Sequence, residues 1–212
     1  MNAIFLVAGV VLAIVIISSS AKLPSKALRT AAGVGALAVL LLGLVLSSAR
    51  FVGEDERGIV SKNIGKGLPP GKILAVNGEK GPQAKILGPG LHLFYWPGIY
   101  KVEEVQLINI NAEEVGILTA KDGQPLPAGQ AFAPEWAPED YKNMLTAEYF
   151  LGEGNGYKGP QASVLTPGKY PINTKLFDVK PVKVTNIEGG FVGVVKSNVG
   201  VAPDGVTAEE AL

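Results

Sequence analysis

Two hydrophobic patterns divide the chain. From Met1 to Ala21 no side chain is charged, and Ala3 to Ile17 is apolar without interruption; a second uncharged stretch runs from Thr30 to Ala49. Each approaches the roughly 20 residues that a helix needs to cross about 30 Å of hydrocarbon. A segment in lipid must pair its own backbone amides, and a helix does so. The pattern predicts transmembrane helices over residues 1–21 and 30–49. They are joined by a short basic loop at 22–29, Lys22-Leu-Pro-Ser-Lys26-Ala-Leu-Arg29, in which Pro24 ends the first helix. A cleaved signal peptide is the competing reading of the first segment. It lacks the basic n-region, and Ser18-Ser19-Ser20-Ala21 offers no clear small-x-small cleavage site. A basic short loop favours the cytoplasm, which places both termini and everything after residue 50 outside it. Arg50, Arg57, Lys62 and Lys66 weigh the other way, so the topology stays open.

After residue 50 the pattern becomes short apolar runs punctuated by Pro and Gly. Ile86-Leu87, Leu91 to Trp96, Val102 to Ile110 and Phe191 to Val195 are rich in β-formers. In Val105 to Asn111 apolar and polar residues alternate, as on a strand with one buried face. Pro-Gly pairs suit the centre of a type II turn, because Pro fixes φ near −65° and Gly accepts φ > 0.

These runs recur. Glu56-Arg-Gly58-Ile59-Val60-Ser61 aligns without gaps to Glu114-Val-Gly116-Ile117-Leu118-Thr119, 58 positions on. Lys80-Gly-Pro-Gln-Ala84 returns letter for letter as Lys158-Gly-Pro-Gln-Ala162, and Val102, Val105 and Asn109-Ile110 return as Val179, Val182 and Asn186-Ile187. The self-similarity predicts a β-rich unit over 51–118 and a second over 114–195. The second contains an insertion at 134–157, in which Asp140 would cap one short helix over Tyr141 to Leu151, with Met144, Leu145, Ala147 and Tyr149 as its apolar stripe. A third, incomplete unit or tail would start at 192–212.

Composition sharpens the division. Only Lys22, Lys26, Arg29 and Arg50 are charged in the first fifty residues, so all 19 carboxylates fall in the second material. Lys+Arg 19 against Asp+Glu 19 leaves no basic excess to recommend nucleic acid. The absence of Cys excludes disulfides, thiolate metal sites and a cysteine nucleophile, and the single His92 excludes a histidine-built metal cluster.

A membrane segment followed by Val52-Gly-Glu-Asp-Glu56-Arg-Gly58-Ile-Val60, then Gly88-Pro-Gly90-Leu-His92-Leu-Phe-Tyr-Trp96-Pro97 and Tyr100-Lys-Val102-Glu-Glu-Val105, resembles the start of a band-7 domain. This is the stomatin, prohibitin and flotillin family, also called SPFH. The second unit, with Asp122-Gly-Gln-Pro125-Leu-Pro127 and Val164-Leu-Thr-Pro167-Gly168-Lys-Tyr170, is similar to its longer bacterial, flotillin-like members. The resemblance covers residues 51–200. It implies an α+β domain carried on the membrane; with the patterns above, the expected fold is an N-terminal transmembrane hairpin followed by a β-rich domain of repeated units with one inserted helix. It further implies a bacterial inner-membrane protein that self-associates or assembles with related band-7 subunits. Such assemblies organise the bilayer or regulate partner membrane proteins, a membrane protease among them. Two features depart from the family: the double membrane segment, and the lack of sustained heptads.

Candidate chemistry is thin. Gly154-Asn-Gly156-Tyr-Lys-Gly159 fits a dinucleotide fingerprint by letter, but Pro160 and a β-like run follow where a helix is required. Glu103/Glu104 and Glu113/Glu114 are adjacent on strands and face opposite sides. Phe94-Tyr95-Trp96 and Trp136 could stack on bases, yet no basic neighbours accompany them; the first cluster fits a bilayer interface or a core equally well. No catalytic, cofactor-binding or metal-binding residue is assigned. The expected function is a non-catalytic membrane scaffold. The alternative is a membrane-tethered module that recognises a peptide or glycan through its turns and the 134–157 insertion.

Overall fold

The computed structural model describes residues 3–196 and is mixed α and β, with an N-terminal apolar helical region and several antiparallel sheets. It divides into two compact units, Met1–Leu107 and Ile108–Leu212.

In the first unit, α1 (Ala3–Ser20) and α2 (Lys26–Ser48) form a hairpin. Lys26 and Arg29, expected in the connecting loop, lie in the first turn of α2. Ser25 caps that helix by accepting from the Leu28 amide at 3.2 Å, and the Arg29 guanidinium donates back to the Leu23 carbonyl. At 1.5 Å per residue the helices measure about 27 and about 35 Å. By length and composition α2 can cross a membrane, whereas Ile4–Ser20 is a shorter apolar helix. Their seam is made of small residues. Ala13 and Ala36 are 1% exposed, and a Cβ on Gly43 would stand 3.0 Å from the Phe5 carbonyl oxygen and 3.1 Å from the Gly9 Cα. Larger side chains such as Ile4, Leu12, Val34 and Leu42 point outward and are more than half exposed. Small residues inside and large apolar ones outside is the arrangement of helices packed in lipid.

The rest of this unit holds two antiparallel sheets. β1 (Arg50–Val52) pairs with β4 (Gly90–His92). The second sheet places β2 (Glu56–Lys62) between β3 (Gly81–Leu87) and β5 (Tyr100–Gln106). Val52 of β1 joins Val60 and Leu87 of this sheet in a buried cluster, with Tyr95, Tyr100 and Val102 packed on it.

In the second unit, β6 (Ile108–Ile110) pairs with β9 (Gly168–Tyr170), and β7 (Glu114–Ala120) lies between β8 (Gly159–Leu165) and β10 (Phe177–Lys183). Pairings in the two units correspond position by position. Ile59↔Ile86 is matched by Ile117↔Val164, and Phe51↔Leu91 by Asn109↔Lys169. The register shift between Ile59 and Ser61 has a counterpart between Ile117 and Thr119. Gln83 and Gln161 each tie their own approach turn, the amide donating to the carbonyls of Glu79 and Gly81 in one case and of Tyr157 and Gly159 in the other.

Several expectations need correction. The run Val102 to Ile110 is two strands of different sheets, because Leu107 leaves the ladder and its amide bonds to the Asp55 carbonyl. The run Leu91 to Trp96 pairs only as far as His92. Pro70-Gly71 and Pro97-Gly98 form the expected turns, with φ of 81° and 89° at Gly, but Gly90 and Gly168 open strands at φ of 116° and 153°. The insertion carries two short helices, α3 (Tyr141–Met144) and α4 (Ala147–Leu151), since Thr146 is extended and restarts the helix. Asp140 makes no capping bond; its carboxylate accepts from the Tyr149 hydroxyl at 3.1 Å. Residues 185–196 form no strand, and positions 197–212 of the expected third unit lie outside the described residues.

Backbone-to-backbone contact at the hairpin seam makes a direct test. Gly43→Ala should destabilise the chain by about 1–3 kcal/mol through overpacking. Gly33→Ala, whose Cβ meets nothing within 4 Å, should be neutral or gain up to ~1 kcal/mol of helix propensity. Thermal melts in detergent micelles, followed by circular dichroism, compare the two.

Candidate functional site

The end of a helix leaves its last carbonyls without intrahelical partners. At the end of α2, Ser47 and Ser48 are wholly buried. Their hydroxyls donate back to the Leu44 and Val45 carbonyls at 2.7 and 2.6 Å. Ser48 then accepts twice from the loop after β4: its hydroxyl takes the Phe94 amide at 3.0 Å and its carbonyl takes the Tyr95 amide at 3.1 Å. Arg50 donates to the Ala49 and Ser47 carbonyls. The helix is thereby tied into the sheets of its own unit, and β1 starts two residues later.

Around that joint lies an exposed apolar apron. Phe51 and Leu91 are direct cross-strand partners and are 69% and 64% exposed. Phe94 is 60% exposed and packs at 6.1 Å on the ring of Trp96. Phe94 holds φ at 70°, a left-handed conformation that costs a bulky residue on the order of 1–3 kcal/mol. The hydrogen bonds at Phe94 and Tyr95 hold it there, and the Phe94 ring stays largely exposed. Behind this loop is a cleft of about 330 Å³, floored by Val60, Leu87 and Tyr100 and bordered by Lys85. Burial pushes the Tyr95 hydroxyl above its usual range, with Tyr100 adding to the effect.

In the second unit the insertion packs inward. Trp136 is 8% exposed, and its amide donates to the Ser163 hydroxyl at 2.8 Å. Its ring meets Tyr141, Phe150 and Phe177, and Phe150 stacks edge-on against Phe177 at 4.9 Å. Outside this packing is a cleft of about 250 Å³ where Asp140, Tyr149, Glu153 and Tyr157 meet Trp136. The Tyr149 hydroxyl is held above its usual range, first by its bond to Asp140. Tyr141 donates to the Val164 carbonyl, and burial pushes it up to about 12, Tyr170 adding to the rise.

The residues weighed for chemistry are dispersed. His92 bonds through Nε2 to the Gly88 carbonyl at 2.8 Å and meets Tyr95 edge-on. Glu114 accepts from the Asn111 side chain at 2.7 Å, whereas Glu103 and Glu104 are exposed on β5. In the glycine motif a Cβ on Gly154 would strike Met144 at 2.7 Å and one on Gly156 would strike the Phe150 ring at 2.4 Å, so both admit close packing. Among the described residues no three His, Cys, Asp or Glu side chains converge on a metal position. The Ser48 joint and the outward Phe94 gave no sequence signal, because both depend on residues 46 positions apart.

Comparison with protein-family models, with curated proteins and with solved structures finds no match in any of the three.

Two measurements check this geometry. Ser48→Ala should cost about 1–3 kcal/mol by stranding the Phe94 amide. It should also speed hydrogen exchange at Phe94 and Tyr95 while leaving β7 and β8 unchanged. Tyr141→Phe should cost at most about 1 kcal/mol at neutral pH for a half-exposed hydrogen bond. Because the folded hydroxyl titrates near 12 and the free one near 10, this contribution is complete below 10. It fades as pH rises towards 12, so the difference from wild type should shrink there in alkaline unfolding curves.

Proposed function

We propose that the chain is a membrane-anchored, non-catalytic scaffold of band-7 type, in which both apolar helices cross the bilayer and the β-rich part is a duplicated unit. The observation that carries this reading is the Ser48 joint. A helix apolar enough to span lipid is hydrogen-bonded into a sheet whose nearest exposed residues, Phe51, Leu91 and Phe94, are apolar. Exposed Phe and Leu beside the end of a membrane helix bury into the boundary between headgroups and acyl chains, so the first unit would sit against the bilayer. Matching registers at spacings of 58 and 78 positions support descent of both units from one.

Assembly is the working part of the proposal. Phe191, Val192, Val194 and Val195 are all more than 70% exposed. A β-prone run of this exposure is suited to pairing with another chain. The partner would be a second copy or a related band-7 subunit, and the product an array that organises neighbouring membrane proteins. Such a chain should pellet with membranes and resist carbonate. In mild detergent it should scatter light as a particle of several subunits, with Val194→Lys reducing the particle size. A soluble or strictly monomeric full-length chain would refute the scaffold.

The open cleft of Trp136, Asp140, Tyr149 and Glu153 favours the second reading, a tethered module for a peptide or glycan. Deleting 134–157 would strip Trp136 and Phe150 from the core, so Glu153→Lys is the usable variant. Lost capture of a partner with unchanged particle size would favour recognition.

A further inference from the structure

Equivalent positions in the two units are covered differently. Leu118, Ser163, Leu165 and Phe177 stand where the first unit has Val60, Lys85, Leu87 and Tyr100, by the matched registers of the central sheets. In the second unit Trp136 and Phe150 lie over this face, and Leu165 and Phe177 are 0% and 1% exposed. The first unit has no inserted helices between β2 and β3. The same face there is the floor of the 330 Å³ cleft. Its volume falls at the lower end of the roughly 300–1,000 Å³ of ligand-sized clefts. A group from outside the chain can take the place that aromatic side chains fill in the other unit.

The surroundings say which group. One wall of the cleft is Leu93, Phe94 and Tyr95, the loop whose amides are bonded to the end of α2. That loop continues into the exposed apron of Leu91 and Phe51, so an acyl chain can enter without crossing water. Lys85 is the single charged side chain lining the cleft, its ammonium suited to a phosphate, with Tyr100 among the other lining residues. We propose that this cleft binds one anionic phospholipid of the surrounding bilayer, its upper acyl segment over Val60 and Leu87 and its phosphate at Lys85. The inference rests on the membrane reading of the helices.

Full-length protein exchanged into detergent with equal phosphatidylglycerol and phosphatidylcholine, then examined by native mass spectrometry, tests it. Wild type should retain one phosphatidylglycerol per chain in preference to phosphatidylcholine. Lys85→Glu should lower that retention about tenfold, since each juxtamembrane charge contributes several-fold to anionic-lipid affinity. Lys85→Trp, which places an indole where Trp136 lies in the other unit, should abolish it. Lys85 is exposed, and unchanged circular dichroism verifies folding of either variant. Equal retention of the two lipids by wild type, or undiminished phosphatidylglycerol in both variants, overturns the site. Failure of the membrane reading is separately visible as release of the chain by carbonate without detergent.

Discussion

The organisation of the first unit depends on how a long apolar helix hands its chain to a sheet without leaving backbone groups bare. Ser48 solves this with one side chain and one carbonyl. Its hydroxyl donates to Val45 and accepts from Phe94, and its carbonyl accepts from Tyr95. A longer residue could not lie in that fully buried position, and one without a hydroxyl would leave an amide unpaired at a cost of about 1–3 kcal/mol. From this joint follow the start of β1, the placement of the loop after β4 and the outward turn of Phe94.

The two units differ in how they complete a core around a common sheet order. In the second, aromatic residues of α4 and the preceding segment close over the sheet, and Trp136, Phe150, Phe177, Leu165 and Leu118 are buried together. In the first, Val52, Val60 and Leu87 form a buried cluster with tyrosines packed at its edge. Aromatic side chains bury large areas and gain further from edge-on stacking, so the second unit is the better filled of the two. The first leaves the corresponding face open as a cleft.

Much of the framework was legible in the residues. Uncharged runs of membrane length marked α1 and α2, and recurring Gly and Pro marked where strands begin and end. The strand ends were less legible. Val102 to Ile110 reads as one run because side-chain alternation says nothing about which sheet a strand joins; that is settled by Leu107 bonding to Asp55 across sequence. The insertion reads as one helix because its apolar spacing is continuous, while the break follows from the extended backbone of Thr146. The cleft was invisible for a related reason: it arises from residues missing between β2 and β3, compared with their counterparts between β7 and β8.

The glycine contact in the hairpin has a mechanical consequence. Where Gly9 and Gly43 meet, main chain rests on main chain with no flexible side chain to yield. Sliding one helix past the other by a turn, about 5.4 Å, would in one sense set Val39 against Gly9 and Phe5 against Gly43, where only glycine fits. Piston motion in that sense is therefore blocked, and the hairpin acts as a stiff strut against it. Force applied in that sense at its far turn would reach the β-structure as tilt and not as a stroke.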